Sequence, residues 1–303
     1  MEIFYLTYQQ LNMTVFQPPK AAQKSKIPIV ICVHGGSWIF GQESDMHDIA
    51  SYICTESEVI TIAISYRLSV LKLERVVSNI IGAVVCILIV AYLSLQKKEK
   101  NNIFIFLIVV IYIVILLSNT NTTTESRHPN HLLDVLACIK YIQQNINTKI
   151  KNADPQRIVL LGHSAGAHLV SLAVTNLKFS GIVDVDINCI KGVVAISGVY
   201  CRETLLKSVF LYPLDSIVGD GSNDFYPISH ISHKTPPFCV IVASGDFSLI
   251  THARRFTERL TKYDVKHAYV CSRDSHFSVR EGWRGSNQHT GKFVVDFIEQ
   301  IFK

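Results

Sequence analysis

Ser164 sits in Gly162-His163-Ser164-Ala165-Gly166, between the apolar, β-favouring run Arg157 to Leu161 and a helix-compatible run, Ala167 to Val174. A strand, a sharp turn and a helix around G-x-S-x-G form the context that exposes a nucleophilic serine above a sheet edge. The flanking glycines fit that turn, because a side chain at Gly162 or Gly166 would meet the neighbouring strand or helix. As a bare five-residue pattern the motif is weak, and an incidental Gly-Ser turn would match it equally well. The flanking elements are what mark Ser164 as a nucleophile.

A serine hydroxyl is inert at neutral pH unless a base lies within hydrogen-bond reach and a carboxylate orients that base. His276 follows the β-like run His267 to Cys271, and Asp246 stands just beyond the strand-like run Phe238 to Ala243. Both are therefore expected at carboxyl ends of strands, the side on which open α/β sheets bind ligands. The chain order serine, aspartate, histidine suits that architecture. Among rival histidines, His163 and His168 read as structural. The pairs His128/His131 and His230/His233 have i,i+3 spacing, but no carboxylate or cysteine cluster joins them, so no metal site is expected. Asp274 is the nearest rival acid, placed for a surface role two residues before His276, and Asp215, Asp220 and Asp224 fall in a loop.

Acyl transfer also needs donors aimed at the developing oxyanion. Val33-His34-Gly35-Gly36-Ser37-Trp38 follows a strand-like run, and its glycines let backbone N–H groups approach a substrate. Gly35, Gly36 and Ala165, the residue after the nucleophile, are the candidate donors; an ordinary glycine turn is the plain alternative. The reaction these residues could perform needs no metal or organic cofactor.

The elements that must position these residues alternate along the chain. Strands are expected near 13–16, 27–33, 59–65, 157–161, 192–197, 238–243 and 266–271, with Ala153-Asp154-Pro155 as a break before the elbow strand. Helices are expected near 44–56, 131–147, 165–176, 250–263 and 288–301. The alternation predicts an α/β fold with a mostly parallel central sheet covered by helices on both faces. A chain of 303 residues can form one such domain. Its 49% hydrophobic and 17% charged residues make it lean in charge, and its net +5 is scattered, with no basic and aromatic stripe to suggest nucleic acid. None of the eight cysteines forms a C-x-x-C pair, and several lie in apolar runs where a free thiol behaves as a small hydrophobe. Met1 to Tyr5 lacks the pattern of a secretory signal.

Residues 70–126 break the alternation with an apolar, hairpin-like insert. Its two apolar stretches, 76–95 and 103–117, flank a polar tip from Gln96 to Asn102. The second would span about 22 Å as a helix, short of the roughly 30 Å hydrocarbon core. It could still cross a thinned bilayer or be re-entrant. Three readings stand side by side: a membrane hairpin, a translated intron, or a pair of buried core elements. The first implies membrane association through 76–117 and fits the endoplasmic reticulum; the second leaves a cytoplasmic enzyme. Lys97, Lys98 and Lys100 at the tip face Lys72, Arg75 and Arg127 at the base, so charge sets no orientation. Asn12-Met13-Thr14 and Asn121-Thr122-Thr123 are glycosylation sequons usable only on a lumenal side.

Taken together, the motifs resemble those of the α/β-hydrolase superfamily, in particular its H-G-G carboxylesterase branch of hormone-sensitive-lipase-like esterases, kynurenine formamidases and isoprenylcysteine methylesterases. The resemblance is carried by His34-Gly35-Gly36-Ser37-Trp38, Ser65-Tyr66-Arg67-Leu68, Asp154-Pro155-Gln156-Arg157-Ile158 and Gly162 to His168, with His128-Pro129 and Asp134 before the elbow. In such relatives the Tyr-Arg strand leads within a few residues to the His-Pro segment, whereas here 69–127 intervene. Ser37 stands where lipase-type members have a third glycine. The resemblance implies Ser164, Asp246 and His276 as catalytic triad and a small-molecule ester as substrate, with an aryl formamide or a prenylcysteine methyl ester as alternatives. Tyr200, Phe210, Tyr212, Phe225 and Tyr226, within 199–235, could line an apolar pocket or belong to the core. A membrane-anchored, non-catalytic interaction protein is the reading from another class.

Overall fold

The computed structural model describes residues 1–19, 26–69, 127–202 and 223–303, apart from 247, 282, 286 and 287. Eight strands form one sheet: β1 (Glu2–Tyr8), β2 (Leu11–Gln17), β3 (Ile27–Val33), β4 (Ile60–Ile64), β5 (Ala153–His163), β6 (Ile190–Ile196), β7 (Phe238–Ala243) and β8 (His267–Ser272). Their order is β1-β2-β4-β3-β5-β6-β7-β8. The β1/β2 and β2/β4 pairs are antiparallel and all others are parallel. Among the described residues the α-helices are α1 (His47–Glu56), α2 (Asn130–Lys149), α3 (Ala165–Thr175), α4 (Leu177–Val183), α5 (Ser248–Lys262) and α6 (Gln288–Phe302).

The apolar runs explain the layers. Strands β3 to β7 are buried along nearly their whole length, as parallel strands covered on both faces must be. Side chains alternate between faces along a strand. Val30, Cys32, Val159, Leu161, Val194, Ile196, Cys239 and Ile241 share one face with Ile49 and Ile53 of α1 and Val294 and Ile298 of α6. The intervening residues face α3 on β5 and β6, with α2 packed on α3 and β5 and α5 on β7 and β8. Each fully buried Ile or Leu side chain contributes about 1.5–3 kcal/mol.

The sheet corrects the sequence reading in two places. Asp154-Pro155 does not interrupt the chain before β5 but lies inside it. Pairing with β3 shifts from Ile27↔Ala153 to Ile29↔Ile158, so the extra residues bulge out where Pro155 has no N–H to give. Two elements also go beyond those read from the sequence: the edge strand β1 and the short helix α4. Alternating exposure along β1 carries Ile3 and Tyr5 into solvent, as an edge strand paired on one side only allows.

Among the described residues no helix is long and apolar enough to cross a membrane. The stretches 76–95 and 103–117 lie outside the described residues. So does Cys86; the other seven cysteines are free thiols, six of them buried. Burial holds Cys32 and Cys239 well above the usual thiol range, consistent with core packing.

Candidate active site

The elbow is built by crowding. Ser164 adopts φ 53°, ψ −116°, a conformation that costs a non-glycine residue of order 1–3 kcal/mol. It is clamped by its N–H bonding the Ile196 carbonyl at 2.8 Å and its carbonyl accepting from His168 N–H at 3.1 Å. A Cβ on Gly162 would strike the Gly166 backbone, and one on Gly166 would strike the Val33 and His34 carbonyls. Glycine at both positions is thus what lets α3 start directly under the turn.

The loops beyond β7 and β8 bring Asp246 and His276 to this turn. His276 Nε2 lies 3.1 Å from Ser164 Oγ, and His276 Nδ1 lies 2.6 Å from Asp246 Oδ1. A carboxylate can only accept, so Nδ1 carries the hydrogen and bare Nε2 faces the serine hydroxyl. The Asp246 side chain is 1% exposed and that of His276 27%, so the carboxylate is shielded while the imidazole reaches the solvent side. Asp246 Oδ2 accepts from Ala243 N–H at 3.0 Å and from the Ser197 hydroxyl. Burial alone would raise the Asp246 carboxyl, but the hydrogen bonds from His276 and Ser197 together outweigh it and hold the group below its ordinary value.

The glycine turn after β3 lies against the elbow. Gly35 is close enough to Ser164 that a methyl group on it would sit 3.0 Å from the serine Cβ. Gly36 has φ 109°, open only to glycine without strain. Its carbonyl accepts from Ile39 and Phe40 N–H at 3.0 and 2.9 Å, which turns the peptide plane so that the loop closes on itself. His34 Nδ1 donates to the Gly35 carbonyl at 2.7 Å, and the ring stacks on Tyr66 at 4.4 Å. Tyr66 OH in turn donates to the His34 carbonyl at 3.2 Å. Ala165 is the first residue of α3, where backbone N–H groups have no partner within the helix. Gly35 thus approaches Ser164 with backbone alone, and Ala165 follows it directly in the chain.

The rival residues go elsewhere. Asp274 accepts from the Ser272 hydroxyl, and Asp224 pairs with Lys178 at 2.7 Å. Asp215 and Asp220 lie outside the described residues. His168 Nε2 donates to the Phe225 carbonyl at 2.7 Å, and His233 packs edge-on to Tyr263. Among the described residues no group of three or more His, Cys, Asp or Glu side chains could hold a metal ion. Tyr200, Phe225 and Tyr226 are buried: Tyr200 stacks on Phe256 at 4.3 Å and Phe225 packs on Trp38 at 5.4 Å. Phe210 and Tyr212 lie outside the described residues.

Sequence reading passed over Ser197. It is buried, has φ 53°, and its N–H bonds the Ile241 carbonyl at 2.7 Å, which aims its hydroxyl at Asp246. The available signal was its position: a polar residue directly after β6, the strand lying between those that carry Ser164 and Asp246.

Comparisons with known proteins point the same way as the fold. The BD-FAE family model matches residues 71–199, and that of the carboxylesterase family matches residues 9–72. The chain is thus similar to members of carboxylesterase families over two separate stretches. It is similar to a Mycobacterium tuberculosis protein named "Probable carboxylic ester hydrolase LipM", 26% identical over 57% of this chain and 44% of that protein. It is also similar to pyrethroid hydrolase Ces2a of Mus musculus, 36% identical over 20% of this chain and 11% of that one. The chain thus spans less than half the length of these curated relatives. Among solved structures, the thermophilic esterase of Thermogutta terrifontis superposes with TM-score 0.66 at 16% identity, over 99% of this chain and 94% of its own. The Francisella protein BioJ does so with TM-score 0.66 at 13% identity, over 99% and 84%. At such identity the likeness is one of fold, and within this α/β-hydrolase fold the site lies at the carboxyl ends of β5, β7 and β8.

Proposed function

We propose that this protein hydrolyses carboxylic esters of small molecules by acyl transfer through Ser164. The observation that carries the reading is the unbroken hydrogen-bonded series Asp246, His276, Ser164, set beside the backbone of Gly35. His276 Nε2 takes the Ser164 proton as Oγ attacks the ester carbonyl carbon. The tetrahedral oxyanion receives N–H groups of Gly35, Gly36 and Ala165. As the carbon–oxygen bond to the leaving group breaks, His276 returns the proton to the departing alcohol. A water then enters, gives a proton to His276 and attacks the acyl carbon. Collapse releases the carboxylic acid, and Ser164 Oγ regains its hydrogen. Asp246 fixes the imidazole tautomer and stabilises the imidazolium without itself being protonated.

Family resemblance leaves the leaving group to be decided between an alcohol and an amine. A panel of short-chain p-nitrophenyl esters, N-formylkynurenine and a prenylcysteine methyl ester separates these. Turnover of the simple esters is expected. Turnover of N-formylkynurenine alone would replace the ester reading with an arylformamide one.

A further inference from the structure

The buried imidazole of His163 is used by no step of the reaction, yet it lies between the His276 loop and the glycine turn. His163 is the last residue of β5 and directly precedes Ser164. Its Nε2 lies 2.8 Å from the main-chain carbonyl oxygen of His276. A carbonyl only accepts, so Nε2 must carry the hydrogen and donate it. The other edge of the ring faces the glycine turn: a methyl group on Gly35 would lie 2.9 Å from His163 Nδ1. The two imidazoles sit with ring centroids 4.9 Å apart.

The loop that carries His276 needs such a tie. Arg273, Ser275 and Phe277 are exposed around it, and Phe277 is 65% exposed. Within the loop, bonds such as Ser275 N–H to Ser278 Oγ at 2.9 Å shape it locally but do not anchor it to the elbow. Asp246 fixes only the ring of His276. The bond from His163 fixes its main chain, and does so from the residue beside the nucleophile.

We propose that His163 is a positioning residue: a neutral, Nε2-protonated imidazole that latches the His276 backbone to the elbow and seats Gly35 against Ser164. Burial, and next the neighbouring His276, lower its pKa to about 3, so the ring stays neutral throughout the range in which an esterase is assayed. Misplacing a base by a fraction of a bond length reduces turnover while leaving binding surfaces intact.

The proposal rests on the ester-hydrolase reading above, and two variants with one spectrum test it separately. His163→Leu removes the donor; His163→Gln keeps an amide N–H that reaches the place of Nε2. With p-nitrophenyl acetate, His163→Leu is expected to lose about 10- to 100-fold in kcat with KM nearly unchanged. His163→Gln is expected to recover most of that loss. Nitrogen NMR of the wild-type imidazoles should show His163 neutral with hydrogen on Nε2 at neutral pH. An unaltered kcat in His163→Leu, equal loss in both variants, or a protonated or Nδ1-protonated His163 overturns the latch. Wild-type protein without esterase activity would instead overturn the reaction, while the spectrum would still decide for or against the latch. The spectrum needs no variant to fold.

Discussion

Asp246 is held by three donors, His276 Nδ1–H, Ala243 N–H and the Ser197 hydroxyl, in a pocket that leaves its side chain 1% exposed. At the residue scale, its task in the proposed reaction is to choose a tautomer. Asp246→Asn keeps the shape but can offer an N–H where His276 needs an acceptor, which would place the hydrogen on Nε2 and block the base. A loss of about 10,000-fold in kcat is expected in a variant that still melts cooperatively above the assay temperature, measured by ester turnover beside a melting curve. A variant that keeps more than a tenth of wild-type turnover would remove Asp246 from the role. The same carboxyl also has a signature in stability. Its folded pKa lies below the ordinary 3.8, so folding weakens its proton affinity. Its contribution is therefore complete above about pH 4 and is lost as pH falls through the folded value.

At the scale of elements, the elbow depends on three segments meeting with no side chains between them: β5, the start of α3 and the turn after β3. Gly166→Ala places a methyl group into the Val33 and His34 carbonyls, which are backbone and cannot rotate away. The variant is expected to melt several degrees lower and to lose turnover together with stability, as overpacking of a rigid contact does. A wild-type melting curve would show that α3 can shift, and the account of the elbow would be wrong. This packing was legible in advance because the glycine spacing, the apolar run before it and the helix after it all appear in one short window. The same holds for Asp246 and His276, each of which follows a β-favouring run. What was hidden are partners chosen by the third dimension. Ser197 follows an apolar strand like many serines do, and only the neighbouring of β5, β6 and β7 brings it to Asp246. His163 looked structural because its acceptor, the His276 carbonyl, belongs to a loop more than a hundred positions away. The Asp154-Pro155 break was misplaced because a bulge can carry a proline through a strand, which local propensity does not show.

At the scale of the molecule, buried imidazoles make stability depend on pH, and a side-chain clamp spans the ends of 70–126. His252 accepts from the N–H groups of Tyr200 and Cys201 at Nδ1, at 3.0 and 3.2 Å, and burial lowers its pKa to about 4. His163 is lowered further, to about 3. Their unfolded forms bind protons near 6.5, so between that value and the folded ones the unfolded chain holds more protons and stability rises with pH. The melting temperature is expected to fall as pH drops from about 7 towards 4, and less steeply in His252→Asn, whose amide oxygen can replace Nδ1 without taking a proton. A flat wild-type profile would contradict buried neutral histidines. The second matter is the insert. Arg67 grips Asp134 through its backbone N–H at 2.9 Å and its guanidinium at 2.8 and 2.7 Å, joining the chain before residues 70–126 to the chain after them. Among the described residues, eight strands already form a continuous sheet. Replacing 70–126 by a short Gly-Ser linker is therefore expected to give a folded protein that retains ester turnover; aggregation with every linker length would show that the segment completes the core. The most direct test of the account as a whole is covalent. Intact protein treated with a fluorophosphonate should gain one adduct, mapped by peptide mass to Ser164 and absent from Ser164→Ala. An adduct that persists in Ser164→Ala, or a wild-type protein that takes up none, would contradict a nucleophile at the elbow.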